Sequence, residues 1–184
     1  MTAAREPGAS GAFRTFDADQ AGAIADPLDY LRLEHERQRA VCEALERLVE
    51  TMDEGAVAGA AQEILDFLTE DLSRHIADEE RDLFPLLEAR CPPEDGLKGL
   101  LKRLRREHEM DEDLVEFLRA DLEFLALGRS LANPTRLLIN LREFASTQRR
   151  HLAWEDETVL PLAETRLSDA DRAAMAERMR LRRR

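Results

Sequence analysis

Cysteine is scarce in this chain: Cys42 and Cys91 are the only two in 184 residues. Two thiols cannot form the staple framework of a small secreted domain, so reduced side chains in a cytoplasmic protein are expected. Aromatic residues are also few, at 5% with one Trp and one Tyr. No stretch alternates polar and apolar residues over a useful length, which argues against strands. No run of about 18 apolar residues occurs, so no membrane-spanning helix is expected. The opening MTAAREPGASGAF lacks a basic stretch followed by an apolar core, so it does not read as a secretory signal. Positive charge is in deficit, and the net charge of −12 would repel nucleic acid phosphates.

What the chain does have is a pattern of four histidines. His75 and Glu79 stand four apart in HIADEERDLFPLLE, and His151 and Glu155 four apart in HLAWEDETVLPLAE. His35 precedes the first unit within Glu34-His35-Glu36, and His108 precedes the second within Glu107-His108-Glu109. The separations, 40 residues in one half and 43 in the other, make the two halves versions of one plan.

Apolar spacing predicts helices throughout. Residues 1–25 carry no periodicity and are expected to form a disordered N-terminal arm. Asp26-Pro27 is a helix start, with an N-cap and a proline at the first helical position. Leu28, Leu31, His35, Gln38, Cys42, Leu45, Val49 and Met52 then follow at three- and four-residue steps. Gly55 and Gly59 mark a turn. The second stripe runs Ile64, Leu68, Leu72, His75, Glu79, Asp82 or Leu83, Leu86, with Pro85 expected to bend or loosen it. The third runs Leu97, Leu101, Leu104, His108, Glu112, Val115, Leu118, Leu122. The fourth runs Leu137, Leu141, Phe144, Gln148, His151, Glu155, Thr158, Leu162, with Pro161 repeating the bend. Ser168 opens a short fifth helix, whose terminal arginines would offset the macrodipole. The expected fold is all-α: an antiparallel up-down-up-down four-helix bundle over residues 26–167, with a C-terminal helix over 168–184.

Residues four apart share one helix face, so an imidazole and a carboxylate can address one metal ion from a single helix. A carboxylate on a stripe of leucines must be neutralised, paired or metal-bound, because burying it alone is very costly. Four imidazoles and two carboxylates at mid-bundle can serve two metal ions if the carboxylates bridge them. Open positions then remain for a small molecule. Imidazole with carboxylate suits iron, zinc or manganese.

The set His35, His75/Glu79, His108, His151/Glu155 resembles the hemerythrin-like, or HHE cation-binding, domain family over roughly Pro27 to Leu167. The resemblance implies a four-helix bundle around two non-haem iron ions, oxo- or hydroxo-bridged, with Glu79 and Glu155 bridging and the histidines terminal. Oxygen-carrying members have a further histidine four residues along the third helix, where this chain has Glu112. That carboxylate could be a seventh ligand, an outer hydrogen-bond partner or a proton carrier. As a ligand it would favour the ferric state over reversible oxygen carriage. Tyr30 is a weaker candidate ligand. Glu36, Glu80, Glu109 and Asp156 each follow a ligand and should point elsewhere, towards imidazoles of neighbouring helices if anywhere. Trp154 and Cys42 read as packing residues.

The function expected is a cytoplasmic di-iron protein that binds or reacts with O2, peroxide or nitric oxide, in sensing, stress defence or iron handling. The alternatives are a peroxide-consuming or iron-oxidising enzyme, and an interaction bundle holding zinc or no metal.

Overall fold

The computed structural model describes residues 24–184, and the arm expected over 1–25 falls almost wholly outside them. The described chain is helical, with four long packed elements and a short C-terminal helix in the antiparallel arrangement expected. Helix α1 spans Pro27–Glu50. The second rod joins α2 (Glu54–Asp66), α3 (Leu72–Asp78) and α4 (Phe84–Arg90) through π-helical turns at Phe67–Asp71 and Glu79–Leu83. Helix α5 spans Leu97–Ala126. The fourth rod joins α6 (Pro134–Trp154) to α7 (Leu160–Arg166) through a π-helical turn at Glu155–Val159, and α8 spans Asp169–Arg182.

Side chains set the helix ends. Asp26 accepts a hydrogen bond from Leu28 N at 2.7 Å, with Pro27 in the first turn, and Asn133 with Pro134 repeats the device for α6. Ser168 and Asp171 form a reciprocal capping box at α8. The first turn differs from expectation. Gly55 and Gly59 lie inside α2, because Asp53 caps Ala56 N at 2.9 Å and Met52 takes the left-handed φ of 49° that reverses the chain.

Two apolar clusters fill the bundle. One gathers Val41, Leu45, Val49, Ile64, Leu68, Leu118, Leu122, Leu141 and Phe144. The other gathers Ile24, Leu28, Leu31, Leu83, Phe84, Leu101, Leu104, Val159, Leu160, Met175 and Met179. Each buried leucine contributes on the order of 2 kcal/mol. Along the helices His35, His108 and His151 fall between the residues of the two clusters, and His75 lies at the edge of the first beside Ile76, so a polar layer is held between dry blocks.

The prolines act through the π-helical turns. Pro85 and Pro161 cannot donate to the carbonyl four residues back, and their rings crowd it. In both rods the helix widens in the turn just before the proline, at Glu79–Leu83 and Glu155–Val159. Each widened turn inserts a residue and slips the buried face by one. Leu87 is therefore buried instead of Leu86, Val159 instead of Thr158, and Ala163 instead of Leu162.

The C-terminal arginines also differ from expectation. Arg178 and Arg182 reach into the bundle, where both pair with Asp82, and Arg182 also pairs with Asp78. Arg183 pairs with Glu34 and Asp78. These carboxylates are buried, so the arginines neutralise interior charge and do more than offset a helix dipole.

Candidate metal centre

Each histidine sits within a rod on a stripe of core residues, His75 and His151 in the last turns of α3 and α6, so its ring is carried inward by the same periodicity that builds the apolar clusters. Glu79 and Glu155 open their π-helical turns and are fully buried. The ligand atoms of His35, His75, Glu79 and Glu155 all lie within 4.8 Å of one another, as do those of Glu79, His108, His151 and Glu155. Both groups contain both glutamates, so two four-residue sets share a pair of carboxylates.

Inside the groups, His75 Nε2 is 3.5 Å from Glu79 Oε1 and His151 Nε2 is 3.1 Å from Glu155 Oε1. His35 Nε2 stands 3.8 Å from Glu79 and 3.5 Å from Glu155, and His108 Nε2 is 3.4 Å from Glu79 Oε2. Both oxygens of Glu79 and Glu155, and Nε2 of His35 and His75, are buried without a hydrogen-bond partner. Such orphans are costly unless something else satisfies them. His108 Nε2 and His151 Nε2 face each other at 3.0 Å. Donor atoms about 2.1 Å from a common ion lie roughly 3–4 Å apart, which is the spacing seen here. The residues therefore fit a pair of metal ions.

The outward nitrogens are all engaged. His35 Nδ1 pairs with Asp156 at 2.7 Å and His108 Nδ1 with Glu80 at 2.8 Å. His75 Nδ1 pairs with Glu34 at 3.2 Å and His151 Nδ1 with Glu107 at 3.0 Å. A carboxylate can only accept, so Nδ1–H donates in each pair and the Nε2 lone pair is left for a metal. The four pairs obey the repeat. Glu34 and Glu107 precede a histidine of the set, whereas Glu80 and Asp156 follow a shared glutamate.

Burial pushes these imidazoles down, but the surrounding carboxylates win. His35 is raised to about 10 by Asp156, Glu79 and Glu155. His108 rises to about 10 beside Glu79 and Glu80, and His151 to about 9 beside Glu155. Burial pushes the Glu79 carboxyl up, yet His75, His108 and His35 hold it well below the ordinary carboxylate range. Without metal, the surrounding carboxylates favour the charged form of these imidazoles, although across the 3.0 Å contact of His108 Nε2 and His151 Nε2 only one of the two nitrogens can carry a proton.

Six of the seven candidate ligands thus come together. Glu112 does not join them: it is exposed and belongs to neither group. The inward residue on that turn is Asp111, 1% exposed, whose Oδ2 accepts from Gln148 Nε2 at 2.7 Å. The four-three-four steps from Leu97 to His108 call for a step of three next, and that signal points to Asp111. Burial pushes the Asp111 carboxyl up to about 6, against the lowering influence of His151 and His108. Tyr30 also lies outside both groups, its hydroxyl accepting from Arg183 Nε at 2.9 Å. Glu36 and Glu109 are exposed, whereas Glu80 and Asp156 do reach imidazoles of neighbouring helices. Glu34 and Glu107 are not marked as imidazole partners by spacing alone, although Glu-His recurs at matching places in the two halves.

Cys42 is buried in the core, with burial pushing its thiol up to about 12. Trp154 is partly exposed under Arg103, whose guanidinium carbon lies 5.1 Å from the ring centre.

Residues 26–180 match the hemerythrin HHE cation binding domain. The chain belongs to that family. No curated protein and no solved structure matches it. In this hemerythrin-family chain the two His/Glu groups have the arrangement of a di-iron-type site, and O2-, nitric oxide- or peroxide-related chemistry agrees with that arrangement in general terms. No helix among the described residues is long and apolar enough to cross a membrane.

Proposed function

We propose that His35, His75, His108 and His151, with Glu79 and Glu155 shared, hold two iron ions, and that the protein is a cytoplasmic one that binds or reacts with O2, peroxide or nitric oxide. The observation that carries this is the pair of four-residue groups with both glutamates in common. Zinc or manganese suits the same donors, and iron adds one-electron chemistry with small oxidants. The chain's own residues orient four imidazoles through four carboxylates and exclude bulk water between two apolar blocks. The cavity beside His75, bounded by Glu34, Arg37, Gln38, Phe67 and Asp71, measures about 10 Å³, which is water-sized. A roomier cavity of about 500 Å³, by Cys91 and Leu97, shares no residue with the site.

A second reading, turnover of peroxide or oxidation of Fe(II), is favoured by Asp111. This buried carboxyl lies one turn from His108 and keeps its proton to about pH 6, so it can carry a proton towards that half of the site. Anaerobic loading with Fe(II), followed by O2, peroxide or nitric oxide, tests both readings. Near-ultraviolet and visible bands of a ferric pair or a nitrosyl are expected after a stoichiometric addition. Sustained peroxide loss that slows in Asp111→Asn selects the catalytic reading. A colourless protein that retains zinc and no iron would refute both.

A further inference from the structure

Three of the four carboxylates that hold the imidazoles are partly open to water, with Asp156, Glu107 and Glu80 side chains 27%, 12% and 34% exposed. Glu34 is the driest, at 7%, and a residue distant in sequence secures it. Arg183, just past the end of α8, is itself 7% exposed. Its Nη2 donates to Glu34 Oε1 at 3.0 Å and to Asp78 Oδ2 at 2.6 Å, and its Nε donates to the Tyr30 hydroxyl at 2.9 Å. The guanidinium also lies over the Tyr30 ring, 4.7 Å from its centre. The second oxygen of Glu34, Oε2, accepts from His75 Nδ1.

We propose that Arg183 is a positioning residue for the His75 half of the metal centre, acting from the C-terminal helix through Glu34. This rests on the metal reading above. With one oxygen of Glu34 fixed by a planar donor that Tyr30 and Asp78 hold in turn, the other is fixed towards the imidazole. His75 then keeps Nδ1–H outward and Nε2 inward. Asp78 adjoins the shared Glu79, so α8 grips the rod that carries two of the donors. Coupling of this kind is reciprocal, and metal uptake must tighten α8 by the factor by which α8 tightens metal. The arrangement makes the two metal positions unequal in a site whose ligands are otherwise two-fold.

Binding of Mn(II) alone to the full chain tests the proposal, with wild type compared with Arg183→Met, Arg183→Lys and Arg178→Met. The last variant removes a different α8 ion pair, to Asp82, and controls for loosening of the helix. In Arg183→Met, one of two Mn(II) affinities should fall about 10–100-fold and the other should hold. Arg183→Lys should recover part of the loss, and Arg178→Met should behave as wild type. Equal losses in Arg178→Met and Arg183→Met, or no loss in Arg183→Met, overturn the proposal. Nitrogen-15 NMR of the metal-free proteins provides a readout independent of metal. The hydrogen-bonded Nδ1–H of His75 should be protected in wild type and lost in Arg183→Met, and its survival there overturns the proposal. If wild type took up no Mn(II) or iron, the metal reading would fail, and the NMR comparison would still decide whether Arg183 holds His75.

Discussion

At the scale of single residues, the polar layer is a problem in charge balance. Glu79, Glu155 and the four outer carboxylates need positive charge, and imidazolium protons or divalent cations can supply it. Protons on the imidazoles and divalent ions supply charge of the same sign, so one can take the place of the other. Metal uptake must then expel protons, and affinity should rise with pH. The metal-free protein should behave in the opposite sense. His35 and His108 sit near 10 and His151 near 9 in the folded state, against about 6.5 unfolded. Their stabilisation is complete below pH ~6.5 and is lost as pH climbs towards ~10. Thermal melts of chelator-stripped protein should show Tm falling across that window; a flat profile would contradict these protonation states. Asp111 has the reverse character: folded near 6 and unfolded near 3.9, it costs stability once ionised. Asp111→Asn keeps an acceptor for Gln148 and should raise the metal-free Tm by a few degrees above pH 6, with no gain below about pH 4.

The elements explain why some of this was legible in the sequence and some was not. Helix α1 and α6 are regular α-helix, and the stripes from Leu28 to Val49 and from Leu137 to His151 are buried as their spacing predicts. Caps at Asp26, Asn133 and Ser168 could be read because they combine residue type with position. The π-helical turns could not, because an inserted residue leaves no mark on composition. Pro85 and Pro161 were the only hints, and they suggested a bend, not a slip of face. Downstream of the turns at Glu79–Leu83 and Glu155–Val159 the expected core positions are off by one residue. Leu87→Ala should cost about 2–5 kcal/mol in urea denaturation, and Leu86→Ala less than about 1 kcal/mol. The opposite order would mean that the rod continues as unbroken α-helix past Glu79. Asp111 is masked in the sequence for a different reason. The His-x-x-x-Glu spacing points to Glu112, although the regular phase of α5 puts residue 111 inside.

The whole molecule is one plan used twice and then made unequal. The recurrence of Glu-His and His-x-x-x-Glu in the two halves produces a ligand set with internal two-fold character, readable from the four histidines alone. What breaks that symmetry lies outside the repeat: α8 packs Met175 and Met179 into the cluster that contains Ile24, and Arg178, Arg182 and Arg183 pair with carboxylates of the first half. Those long-range ion pairs join residues about 100–150 positions apart, and no local pattern reports them. A ligand that binds only the folded state stabilises it, so metal loading should raise Tm and slow hydrogen exchange in α8 along with the four rods. The central claim, two ions sharing Glu79 and Glu155, is tested most directly by counting iron per chain after anaerobic Fe(II) loading and desalting, in wild type, His151→Ala and Glu79→Ala. Two irons in wild type, one in His151→Ala and none in Glu79→Ala are expected; a wild type that never exceeds one, or a Glu79→Ala chain that keeps two, would contradict it.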